Sequence, residues 1–162
     1  MVSKKTLKIS EEVLKKDTEN QLLKIKMEVS NTINEIFEER IKIFEKKIAE
    51  FNASTNAKTF HLQGNGQLKE NIVAGALSDF IVAAENYLIC RDYNNLQTVL
   101  NLILDSCLPK LSIEEINDLK IMHNSDIEVL LNNLDEKDEN GIFSLPIRRI
   151  RYSLSKLPKS PS

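Results

Sequence analysis

From Ser10 to Asn52 the chain contains neither Gly nor Pro. Its apolar residues recur at Leu22, Ile25, Val29, Ile33, Ile36/Phe37, Phe44, Ile48 and Phe51. The stripe covers 29 residues in eight helical steps, about 3.6 per step, the period of a nearly straight α-helix. Unbroken, such a helix is roughly 60–65 Å long at about 1.5 Å per residue. A compact globule of this chain length is only roughly 40 Å across. The helix must therefore bend, or bury its projecting half against another chain. Leu23, Met27 and Ile41 widen the apolar face beyond a narrow two-stranded seam.

One segment challenges the continuity of this helix. Ser30-Asn31-Thr32 competes for backbone hydrogen bonds, and Thr32 with Glu35 matches a capping box. A break there gives two helices. The stripe keeps its phase across the polar patch, so the spacing predicts one helix over about 10–52. Ser10 followed by Glu11 and Glu12 reads as its start. Residues 1–9, with Lys4, Lys5 and Lys8 and no acid, read as a basic flexible arm.

Past that helix, Ser54, Thr55 and Asn56 read as its end, and residues 53–66 as the main connection. Within it, Phe60-His61-Leu62 alternates like an extended piece, and Gly64-Asn65-Gly66 reads as a flexible turn. Helical spacing resumes over 67–91 and again over 95–108, where Pro109 stops it. Ser112-Ile113-Glu114-Glu115 is a capping box that opens one helix to about Lys137, or two with a joint at Asn124. Gly141 closes that end. Beyond it, residues 142–162 form a basic tail with a short amphipathic helix, in which Ile147, Ile150, Leu154 and Leu157 oppose Arg148, Arg149, Arg151 and Lys156. Its last residues read as disordered.

The segment Ala83-Ala84-Glu85-Asn86-Tyr87-Leu88-Ile89-Cys90-Arg91-Asp92-Tyr93, with Leu96 and Leu100, resembles one hairpin of the tetratricopeptide-repeat family. The resemblance covers that hairpin alone, with no second copy at the expected spacing. It implies an antiparallel αα-hairpin and no repeat array. The fold expected is all-α: a helical bundle with a coiled-coil-like N-terminal helix and a single domain over 10–141.

Charge narrows the partners. The formal net charge of -2 argues against wholesale attraction to nucleic acid or membrane. Its distribution is uneven, acidic over 112–140 and basic over 145–162. Three readings of the basic tail stand. It packs on the acidic segment, docks an acidic partner or membrane surface, or contacts nucleic-acid phosphates. No run of 18 apolar residues is present, and the N-terminus lacks the apolar core of a signal peptide. The two cysteines sit singly in apolar surroundings, which fits a reducing, cytoplasmic setting.

Sites of chemistry are weakly signalled. His61, Cys90, Cys107 and His123 are scattered, without the close pairs that zinc needs. His61 reads as a loop residue near the surface. Asp135, Glu136, Asp138 and Glu139 do not follow the calcium-loop pattern. Gln63-Gly64-Asn65-Gly66-Gln67 lacks the Lys-Ser/Thr of a phosphate loop. No catalytic residue, cofactor or metal is expected. The expectation is a non-enzymatic interaction or regulatory protein that forms a homodimer or binds a partner helix. Ile25, Val29, Ile33, Ile36, Phe37, Phe44 and Ile48 would make the contact. The alternative is a small nucleic-acid-binding regulator using Lys4, Lys5, Lys8, Arg148, Arg149 and Arg151.

Overall fold

The threonines of the first helix show that it passes through them. Thr18, Thr32, Thr55 and Thr59 each donate the side-chain hydroxyl to the carbonyl four residues back, at 2.9–3.2 Å. A hydroxyl used in this way lies inside a helix and caps nothing. In the computed structural model, α1 accordingly runs without a break from Lys4 to Lys69. The structure describes residues 4–112, 114–115, 118 and 124–155.

Two expectations are corrected here, at residues 4–9 and 53–66, and the continuous helix expected across Thr32 is met. Lys4 to Ile9 are helical and not an arm. The helix does not break at Thr32, whose hydroxyl bonds Glu28 C=O from inside the helix and caps nothing. Residues 53–66 are not a connection, since α1 passes straight through them. Within that stretch, Gly64 is buried, and a Cβ there would lie 2.6 Å from Phe80 Cε1. This glycine lets a neighbouring ring approach the backbone; it does not make a turn.

The remaining helices are α2 (Val73–Ile89), α3 (Tyr93–Leu102), α4 (Asn124–Lys137) and α5 (Ser144–Ser155). No strand occurs among the described residues. The class is all-α, with the long N-terminal helix that the spacing predicts.

Helices α1 and α2 both end on a residue in the left-handed region, Asn71 at φ 62° and Arg91 at φ 59°. The next N–H then reaches back five residues: Ile72 to Gln67 C=O at 2.8 Å, and Asp92 to Tyr87 C=O at 3.0 Å. This is the Schellman arrangement, and it satisfies carbonyls that the helix end would otherwise orphan. The first of these turns occupies residues 70–72, so the hairpin begins at Val73 and not at Gln67. Asp92 caps α3 by accepting from the Asn95 N–H at 3.3 Å.

After Leu102 the backbone widens into a π-turn over Ile103–Cys107 and tightens into a 3-10 turn over Leu108–Lys110. Leu108 N–H donates to Ile103 C=O, while Pro109 has no N–H to continue the ladder. The adjustment keeps Ile103, Leu104, Cys107 and Leu108 all buried. Glu115 N–H donates to Ser112 Oγ at 3.1 Å, the cap expected there. Whether one helix or two leads to Lys137 turns on positions 119–123, which lie outside the described residues, as do Ile113, His123, Lys156 and Leu157.

The chain divides into two units, Met1–Lys47 and Ile48–Ser162. In the first, every described residue is helical and exposed. In the second, one hydrophobic core joins Ala57 of α1 to Leu77, Phe80 and Tyr87 of α2, Leu96 and Leu100 of α3, Leu130, Leu131 and Leu134 of α4, and Phe143, Ile147 and Ile150. The basic tail is part of this core through its apolar side. Asp138 orders its approach, accepting from the N–H groups of Ile142 at 2.6 Å and Phe143 at 2.9 Å. Gly141 turns at φ 69° just ahead of them.

Candidate interaction surface

Seven residues form the expected contact surface, and the helix itself positions them. At about 100° per residue, Ile25, Val29, Ile33, Ile36, Phe37, Phe44 and Ile48 fall along one side of α1. Between 45 and 65% of each residue's surface is exposed. Helical neighbours account for the covered remainder, because nothing in residues 4–49 is buried or even half-buried. Leu7, Leu14, Leu22, Ile41 and Phe51 are exposed in the same way. Scattered apolar residues on a surface need no account, but a continuous stripe of this length does.

The basic residues behave differently. Arg151 donates to Asp135 Oδ2 at 2.9 Å and to Asn132 Oδ1 at 3.0 Å. Arg149 lies 3.5 Å from Asp105. Arg148 is exposed. These contacts join the tail helix to α4 and to the turn after α3, within the unit that shares its core. Each exposed pair contributes at most about 1 kcal/mol. Lys4, Lys5 and Lys8 are exposed on the first turns of α1.

Among the described residues, His61, Cys90 and Cys107 are accounted for by packing. His61 is on α1 and half-buried, so its placement in a surface loop is corrected. Its Nδ1 is 2.9 Å from Tyr87 Oη, and its ring meets those of Phe80 and Tyr87 edge-on. Burial lowers its pKa. Nothing in the local sequence signalled this, because the partners lie one helix away. Cys107 is buried, and that burial pushes its thiol up to about 11 against a weaker opposite pull from Lys110. Cys90 is half-buried and donates to Tyr87 C=O at 3.6 Å. Among the described residues no three His, Cys, Asp or Glu side chains are grouped to hold a metal. In the acidic run, Asp135 pairs with Arg151 and Asp138 holds the turn before α5.

A shallow pocket of about 190 Å³ is lined by Ser78, Ile81, Val82, Glu85 and Asp126. Its volume is below the roughly 300 Å³ at which small-molecule sites begin. Burial, and then the nearby Asp126, raise the Glu85 pKa. Among the described residues, no helix is long and apolar enough to cross a membrane. Comparison with protein-family models, curated proteins and solved structures gives no match.

Proposed function

We propose that this chain is a non-enzymatic interaction protein that works by docking the apolar stripe of α1 against another helix. The observation that carries the reading is the uninterrupted exposure of the first unit. An isolated helix in water is marginal unless an apolar face is covered by something. Here the face is built to helical period and left open over Leu22 to Phe44. Covering it stabilises the helix and the assembly together, at about 25 cal/mol per Å² of apolar surface removed from water. The folded second unit would then be what the assembled helix carries or positions, as in an adaptor or regulatory subunit.

The test is photo-crosslinking in the cells that make the protein. A photoreactive phenylalanine analogue replaces Ile33 on the stripe, or Asn31 on the opposite face. The reading expects a discrete adduct from position 33 that is absent from position 31, whether with a copy of the chain or with another protein. Equal or absent adducts at the two positions would overturn it.

A further inference from the structure

Resting on that reading, we infer that the helix covering the stripe is a second copy of this chain, lying parallel and in register. The first support is the repeat. Leu22, Ile33 and Phe44 are spaced by 11 residues, as are Leu14, Ile25 and Ile36, with Leu7, Thr18, Val29 and Arg40 between the two lines. An 11-residue repeat has about 3.67 residues per turn, close to the natural helix, so the stripe hardly drifts. Two such helices meet along a nearly straight seam.

The second support is charge on the flanks of the seam. Taking the Val29 line as the centre, each residue advances about 98° in an 11-residue, three-turn repeat. Lys4, Lys15 and Lys26 then run about 65° to one side. Asp17, Glu28 and Glu39 run about 98° to the other. In a parallel pair, each flank of one helix faces the opposite flank of its neighbour. Lys15 of one copy then lies beside Asp17 of the other, and Lys26 beside Glu28. In an antiparallel pair centred on Val29 the acidic flanks meet, Asp17 near Glu39 and Glu28 near Glu28, while Lys15 falls level with Ile43 and has no acid beside it. One helix with opposite charges on its two flanks is thus complementary to itself in the parallel sense.

Sedimentation equilibrium and disulfide trapping of the full chain test this. Leu14→Cys and Phe44→Cys are made singly in a Cys90→Ser background, with Asn31→Cys on the opposite face as control. Circular dichroism confirms that each retains its helix. The expected results are a dimer at micromolar concentration, and covalent dimer from each stripe variant alone in a glutathione buffer but not from Asn31→Cys. Trapping only when the Leu14→Cys and Phe44→Cys chains are mixed indicates the antiparallel pair and overturns the inference. So does a monomeric mass at high micromolar concentration. A monomer whose position-33 adduct is a different protein overturns the second copy and leaves the interaction reading intact. A monomer with no adduct removes both.

Discussion

Tyr87 Oη and His61 Nδ1 lie 2.9 Å apart, and this contact fastens α2 to the last third of α1. Tyr87 is buried and His61 half-buried, so the bond sits at the edge of the core of the second unit. Losing it costs about 0.5–1.5 kcal/mol, the net worth of a typical hydrogen bond. Tyr87→Phe should lower the unfolding free energy by that amount, seen as a lower urea midpoint with little change in slope. An unchanged midpoint would mean that the hydroxyl contributes no net stability.

The same contact makes stability depend on pH. Burial lowers the folded-state pKa of His61 below the ordinary value of about 6.5. The neutral ring is the form that the fold accepts. Its contribution is fully present above about pH 6.5 and is lost as pH falls through the lowered folded value, because the unfolded chain takes up the proton first. Burial raises the pKa values of Asp79 and Glu85, and these work the other way. Their carboxylates weaken the fold as pH rises through the carboxylate range. Melting temperature measured between pH 7.5 and 5.5 should fall in the native chain, and fall less in His61→Leu. Parallel curves for the two proteins would remove His61 as the cause.

Two nearby glycines should respond to alanine with opposite signs. At Gly64 a methyl would lie 2.6 Å from Phe80 Cε1, so Gly64→Ala should destabilise by about 1–3 kcal/mol, the range for an overpacked core. At Gly66 an added Cβ meets nothing within 4 Å, so Gly66→Ala should stabilise by about 0.5–1 kcal/mol through helix propensity. Urea unfolding of the two variants checks both. A loss at Gly66 would indicate that α1 ends before it.

These glycines also mark the limit of what the sequence reveals. The helical period was legible from Ser10 to Asn52 because one spacing held for many turns. The continuation to Lys69 was not, because Thr55, Thr59, Gly64 and Gly66 carry the usual signs of a chain reversal. Those signs are local, and here each is compatible with a helix that packs on its neighbour. Thr55 and Thr59 bond back along the helix, and Gly64 admits Phe80. His61 was misplaced for the same reason, since Tyr87 and Phe80 lie on another helix. The apolar stripe was fully written in the sequence. The tail helix was legible as amphipathic. Its burial through Ile147 and Ile150 depended on α4, whose acidic face supplies Asp135 to Arg151.

Arg91 offers a stabilising substitution that touches no contact surface. It occupies the left-handed region at φ 59°, where a side chain costs roughly 1–2 kcal/mol relative to its usual conformations. Arg91→Gly removes that strain at some cost in unfolded-chain entropy, for a net gain of about 0.5–1 kcal/mol. The urea midpoint should rise. A fall would mean that the guanidinium group makes a contact worth more than the strain.

Arg40 tests the seam most directly. It stands on the line that Leu7, Thr18 and Val29 share, with Ile36, Phe37 and Phe44 around it, so it puts the one charge into an otherwise uncharged line. In a parallel pair the two Arg40 side chains meet at one level, each beside Glu39 of the other copy. A single charged residue in a helical seam lowers affinity while restricting register and strand number. Arg40→Leu should therefore tighten the dimer at least tenfold, about 1.4 kcal/mol, and admit higher oligomers in sedimentation equilibrium. Arg40→Glu should weaken its own dimer but pair with the native chain in preference to either homodimer, because opposite charges then share the level. If native and R40E chains mix only statistically, the two Arg40 residues do not face each other, and the parallel register is wrong.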